Sequence, residues 1–175
     1  RTRQGAASTF LIDTLRRITQ AMALTEEDLQ RALASSLMIS ADNAHAVHPN
    51  VPEKSDPTNR VYLNQGIVIK YNANQSYTSD AISAALFKEL CAEVGVKTQY
   101  FTNRSDLKGG GTLGSISTSQ VSIASVDIGL AQLAMHSCNE TAGVEDSEAM
   151  ILAIQRFYST HRSMPQEGVL IQQAD

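Results

Sequence analysis

Apolar residues recur at helical intervals from the start of the chain. In "AASTFLIDTLRRITQAM" the residues Phe10, Leu11, Leu15, Ile18 and Met22 return every three or four positions, which predicts a helix with a core-facing stripe. "LTEEDLQRALAS" repeats the pattern, with Thr25 as N-cap and Glu26 and Glu27 in the first turn, where the helix dipole favours negative charge. The pattern then changes. "SLMISA", "GIVIKYN", "VKTQYFTN" and "SIASVDIG" are short, apolar or β-branched, and read as strands. Residues 49–64 hold three of the four prolines and several turn formers, so they form a loop. "TSDAISAALFKELCAEVG" is the clearest helix: Ser79 or Thr78 caps it, Ile82, Leu86 and Leu90 form its stripe, and Gly95 supplies a left-handed stop. "EDSEAMILAIQRFYSTH" predicts a last long helix with Asp146 or Ser147 near its cap, and the tail after Pro165 has no clear partner.

Helices alternating with short apolar strands give an α/β class, a mixed and mostly parallel sheet flanked by helices. With 175 residues and 42% hydrophobic content, one core is expected, and there is no internal repeat or linker.

Charge and cysteine content narrow the function. A formal charge of -4, with Arg16–Arg17 the one adjacent basic pair, argues against a nucleic-acid partner. The longest apolar runs fall short of the ~20 residues that cross a bilayer. Cys91 and Cys138 make neither a disulfide scaffold nor a zinc knuckle. Cys91 reads as a small buried hydrophobe, and reduced thiols fit a cytoplasmic setting. The opening "RTRQGAAS" carries neither an initiator Met nor an apolar leader, so a longer parent chain is expected.

Three polar clusters follow predicted strands or apolar runs, where sites gather in open α/β sheets. Asp42-x-x-His45-x-x-His48 holds residues suited to zinc, but on spacing alone a turn with locally satisfied side chains is the commoner explanation. His136 stands near Cys138 and Glu140, either as a ligand or as a core-edge histidine. "GGGTLG", Gly109 to Gly114, lets backbone pass close to a ligand or serves as a flexible connector; no Gly-Lys-Ser/Thr follows, so it is not a phosphate loop. Lys70 interrupts a buried strand, and a buried ammonium needs a partner. It either snorkels at the strand end or faces an anionic ligand.

"GAASTFLIDTLRRI", "MISADNAHAVHPN", "GIVIKYNANQSYTSD" and "VDIGLAQLAMHSCNETAG", in this order, resemble the aspartyl aminopeptidase family of dinuclear zinc exopeptidases. The likeness runs to about residue 160, and residues 1–162 read as the C-terminal half of such a catalytic domain, with 163–175 a tail. The resemblance implies two zinc ions, Asp42 a ligand to one and His136 to the other. It implies substrate contacts from His45, Lys70 and Tyr77, with Gly111 and Thr112 lining the site and His48 in support. Lys70 would then meet the carboxylate of an acidic N-terminal residue. The resemblance also implies peptide substrates, a homo-oligomer, and a glutamate base and remaining ligands upstream of these residues, so that this piece alone is expected to be inactive. A relative of broader or neutral specificity, and a scaffold that kept the fold without turnover, are the alternatives.

Overall fold

The computed structural model describes residues 2–160, together with the backbone of 162–163 and 170–171. Among the described residues, five helices, α1 (Phe10–Ala21), α2 (Glu26–Ala34), α3 (Ala81–Glu93), α4 (Leu113–Thr118) and α5 (Val144–Tyr158), are interspersed with strands. The main sheet has the order β1-β5-β3-β4, formed by Leu37–Ala41, Ala124–Gly129, Ile67–Tyr71 and Thr98–Thr102. β1 pairs parallel with β5 and β3 parallel with β4; only the β3–β5 junction is antiparallel. A small second sheet joins β2 (Ala44–His45), β6 (Ala131–Leu133) and β7 (Thr141–Ala142), with β2 and β6 parallel. A further pair, β8 (Arg162–Ser163) and β9 (Leu170–Ile171), runs from the predicted 162/163 boundary into the tail, most of which lies outside the described residues. The mixed, mostly parallel α/β sheet is therefore as predicted, and the 49–64 loop contains one 3-10 turn, Pro52–Lys54.

The main core lies between the sheet and α3 and α5. Ile67, Ile69, Val126 and Ile128 from the strands meet Phe87, Leu90, Cys91 and Ala153 from the helices, all essentially inaccessible to water. Each large apolar side chain buried in this way contributes roughly 1.5–3 kcal/mol.

Three local expectations need correction. The predicted stripe of α1 is mostly turned outward: Phe10, Leu11, Ile18 and Met22 are exposed, while Leu15 of that stripe, together with Ile12, packs against Leu29, Leu33 and Val121. Among the described residues α1 packs mainly on α2, so only a narrow face is covered. Ile82 is likewise exposed, because α3 buries the face of Ser83, Leu86, Phe87, Leu90 and Cys91. The cap of α3 is Asp80, whose carboxylate accepts from the Ser83 N–H in a capping box, while Thr78 and Ser79 bond to strand β5 instead. At α5 the N-cap is Gly143; Asp146 is fully buried and accepts from the N–H groups of Asn64 and Gly66 at 2.7 and 2.8 Å, tying the loop before β3 to the helix. Thr25 caps α2 as predicted, and Gly95 takes the left-handed conformation with φ 70°.

Candidate active site

The site is built around the residue that follows β1. Asp42 donates its N–H to Ile128 O at 2.9 Å, which extends the β1–β5 pairing by one bond and leaves the carboxylate half exposed. Gly129, its neighbour on β5, has no side chain to obstruct this approach: a Cβ there would fall 1.9 Å from Asp42 O.

Lys70, on β3, is 2% exposed. Its ammonium donates to Asp42 O at 2.8 Å, reaches Asn43 O at 3.5 Å, and lies 4.0 Å from Asp42 Oδ2 and 5.4 Å from the centre of the Tyr77 ring. Burial lowers its pKa, and the nearby carboxylates of Asp42 and Asp127 oppose that shift. Lys70 is thus not a snorkelling strand-end residue. It is a buried cation whose first partner is the backbone of Asp42.

The small second sheet brings the histidines together. His45 ends β2, whose partner β6 leads through Ala134 into His136. Ala134 and His136 both have positive φ, 55° and 68°, so the chain doubles back here in a conformation non-glycine residues rarely adopt. The His136 N–H donates to Glu140 Oε1, which holds the turn. The protein packed around His45, then the charges of His136 and Lys70, hold its imidazole below the usual pKa. His48 sits farther along, its Nδ1 accepting from the Asn50 N–H in a local turn.

The opposite wall comes from two loops. Tyr77 is buried, its hydroxyl accepting from Asn103 Nδ2 at 3.1 Å, and burial raises its pKa. Gly111 is exposed on the glycine-rich loop, and Thr112 is buried beneath it, donating to Asp127 Oδ2 at 2.8 Å.

Asp42, His45, His48, Lys70, Tyr77, Gly111, Thr112 and His136 all line one cavity of about 480 Å³. Lys54, Arg104 and Lys108 line it as well, against the carboxylates of Asp42 and Asp56. Arg104 is neutralised by Asp106, whereas Lys54 and Lys108 form no ion pair among the described residues. A larger neighbouring cavity of about 760 Å³ shares the 102–109 wall but contains none of the predicted metal or substrate residues.

Sequence reasoning missed Asn103 and Asp127. A signal for Asp127 existed, since it interrupts the apolar run of "SVDIG" just as Lys70 interrupts "IVIKY".

Residues 1–158 match the family model described as "Aminopeptidase I zinc metalloprotease (M18)". The chain belongs to the M18 family. A probable M18 family aminopeptidase 2 from Clostridium novyi is 50% identical over 158 residues, covering 90% of this chain and 36% of that protein. Among solved structures, a chain of the Ape4–Nbr1 complex superposes with a TM-score of 0.85 at 36% identity, covering 90% of this chain and 30% of the other. The Saccharomyces cerevisiae mApe1 dodecamer superposes at 0.76 and 32%, covering 90% and 34%. The chain therefore spans about a third of the length of the M18 proteins it matches.

Zinc suits the donors this M18 chain presents in kind: a half-exposed carboxylate and an imidazole on one cavity. They do not suffice in number. Among the described residues no group of three or more His, Cys, Asp or Glu side chains is placed to hold an ion.

Proposed function

We propose that this chain furnishes part of the active site of a zinc aminopeptidase that removes acidic residues from the N-termini of peptides, using two metal ions. The observation that carries this reading is the convergence, on one cavity of an M18-family chain, of Asp42, His136, His45, Lys70, Tyr77, Gly111 and Thr112. Asp42 would donate to one metal and His136 to the other, with the remaining ligands and a glutamate base supplied from outside these residues. Bound zinc pairs of this kind polarise a scissile carbonyl and activate water.

The chain's own residues orient. Lys70 fixes the backbone of Asp42, and Glu140 fixes that of His136, so both donors arrive on held main chain. Tyr77 accepts from Asn103, which leaves its own O–H proton for an acceptor in the cavity. Support for acidic substrates lies in charge: Lys54 and Lys108, which form no ion pair among the described residues, add cations to the cavity of a chain whose net charge is -4. One observation favours the broader-specificity alternative, since the Lys70 ammonium already bonds to Asp42 O and is less free to meet a substrate carboxylate. A cytoplasmic homo-oligomer is consistent with the reading. No helix among the described residues is long and apolar enough to cross a membrane, and the mApe1 neighbour is a dodecamer.

The test is an assay of the complete protein on Asp-, Glu- and Leu-terminated peptides, before and after chelation and zinc replacement. Zinc-restored hydrolysis that favours Asp and Glu is expected. His136→Ala should lower zinc content and remove most of the turnover. Near-normal zinc content and turnover in His136→Ala would defeat the ligand assignment, and equal rates on Leu- and Asp-terminated peptides would favour broader specificity.

A further inference from the structure

Asp127 lies on β5 in the middle of the main sheet, is completely buried, and is used by neither the metal donors nor the substrate contacts. Burying a carboxylate is costly unless it is well bonded. Here a single oxygen, Oδ2, accepts three hydrogen bonds: from the Thr78 N–H at 2.6 Å, the Thr78 hydroxyl at 3.0 Å and the Thr112 hydroxyl at 2.8 Å. These donors come from two separate segments, the loop that carries Tyr77 and the glycine-rich loop that carries Gly111. The loops are also joined directly, by the Thr112 N–H donating to Ser76 O at 3.3 Å. Tyr77 therefore stands between two residues, Ser76 and Thr78, each tied to the Thr112–Asp127 junction.

Two details set this arrangement apart from an ordinary helix start. Thr112 is the N-cap of α4, a position where threonine ordinarily bonds to its own helix, yet it makes no side-chain cap and gives its hydroxyl to Asp127. Gly114 lets α4 settle directly on the same carboxylate: a Cβ there would meet Ser40 Oγ at 2.8 Å and Asp127 Oδ1 at 2.9 Å. The Oγ of Ser40, the register partner of Asp127 on β1, and the Asp127 Oδ1 atom both lack hydrogen-bond partners among the described residues. The two loops thus concentrate their bonds on Oδ2, while Oδ1 is spent on close packing.

From this geometry we infer that Asp127 is a positioning residue for the active site, one carboxylate that locks the Tyr77 loop and the glycine-rich loop together and so sets the wall formed by Tyr77, Gly111 and Thr112. The inference rests on the aminopeptidase reading for its effect on catalysis, but the clamp itself is a property of the fold.

The experiment compares wild type, Asp127→Ala, Thr112→Val and Thr112→Ser in the complete protein, by hydrogen exchange and by steady-state kinetics on an Asp-terminated peptide. Asp127→Ala and Thr112→Val are expected to speed exchange at 76–78 and 110–113 by about tenfold or more, with strands β3 and β5 unchanged. KM should rise by about tenfold or more while kcat changes less, and Thr112→Ser should restore both readings. If Asp127→Ala fails to fold, Thr112→Val decides. Exchange that rises equally in loops and strands, or that does not change in the loops, overturns the clamp, as does an unchanged KM with full turnover. If wild type hydrolyses no peptide, the aminopeptidase reading has failed, and the exchange result alone decides the clamp.

Discussion

Replacing Gly129 by alanine tests the geometry under Asp42 directly. The added Cβ would lie 1.9 Å from Asp42 O, 2.7 Å from Asp42 C and 2.9 Å from Asn43 Cα, all backbone atoms that cannot swing aside. Ordinary contact begins at 3.4 Å, so the Asp42–Asn43 segment must retreat by about 1.5 Å, the difference between 3.4 and 1.9. That movement breaks two bonds at once, Lys70 Nζ to Asp42 O at 2.8 Å and Asp42 N–H to Ile128 O at 2.9 Å. A charge-assisted bond is worth roughly 1.5–3 kcal/mol and a neutral one about 1 kcal/mol. Overpacking alone costs roughly 1–3 kcal/mol. These overlap, so a net loss of about 3–5 kcal/mol is expected. For a chain of this size each kcal/mol moves Tm by roughly 2–4 °C, which places Tm about 6–20 °C below wild type. Thermal unfolding followed by circular dichroism measures it, with Gly110→Ala as control, because a Cβ at Gly110 meets nothing within 4 Å. A Gly129→Ala protein that melts within about 2 °C of wild type would show that Asp42 is not seated as described.

Lys70→Met keeps most of the stem and removes the ammonium; hydrolysis of Asp-terminated peptides should fall far more than that of Leu-terminated ones, and equal losses would make Lys70 purely a support for Asp42. Asp146→Ala leaves the N–H groups of Asn64 and Gly66 without their acceptor and should cost about 2–4 kcal/mol in urea unfolding, with no effect beyond about 0.5 kcal/mol refuting the tie. Burial pushes the Cys91 thiol up to about 12 while Cys138 is exposed, so a thiol reagent at pH 8 should label one cysteine in the native chain and two after denaturation. Two fast native thiols would contradict the buried position of Cys91.

The sequence was most informative where a residue conflicts with its surroundings. Lys70 within "IVIKY" signals a buried cation in need of a partner, and it has one; Asp127 within "SVDIG" carries the same signal, masked because a lone carboxylate two residues before a glycine also fits a strand end. The "DNAHAVH" and "MHS" motifs point to the cavity, because short motifs encode local geometry that travels with them. Helix faces are harder. On α1 the apolar positions cover more than one side, so periodicity alone does not choose between the Phe10–Ile18 face and the Ile12–Leu15 face; the contacts with α2 do. The capping of α3 depended on competition. Thr78 and Ser79 are good caps by type, but strand β5 offers them the Asp127 carboxylate and main chain, leaving Asp80 to cap the helix.

The antiparallel junction of the main sheet sets the reach that Lys70 needs. Asp42 and Gly129 lie at the carboxyl ends of β1 and β5, where a parallel sheet places its sites. β3 runs the other way: Val68 pairs with Gly129 and Ile69 with Ile128, and one further step of that register sets Lys70 across from Asp127, level with Ser40. Lys70 therefore starts two residues short of Asp42, roughly 6.6 Å along a strand. Its four-carbon stem spans that gap through the packed interior and delivers the ammonium to Asp42 O. Side-chain length thus converts a strand running in the unhelpful direction into a contributor to the site, and Asp127, at the foot of that stem, is left to hold the loops opposite.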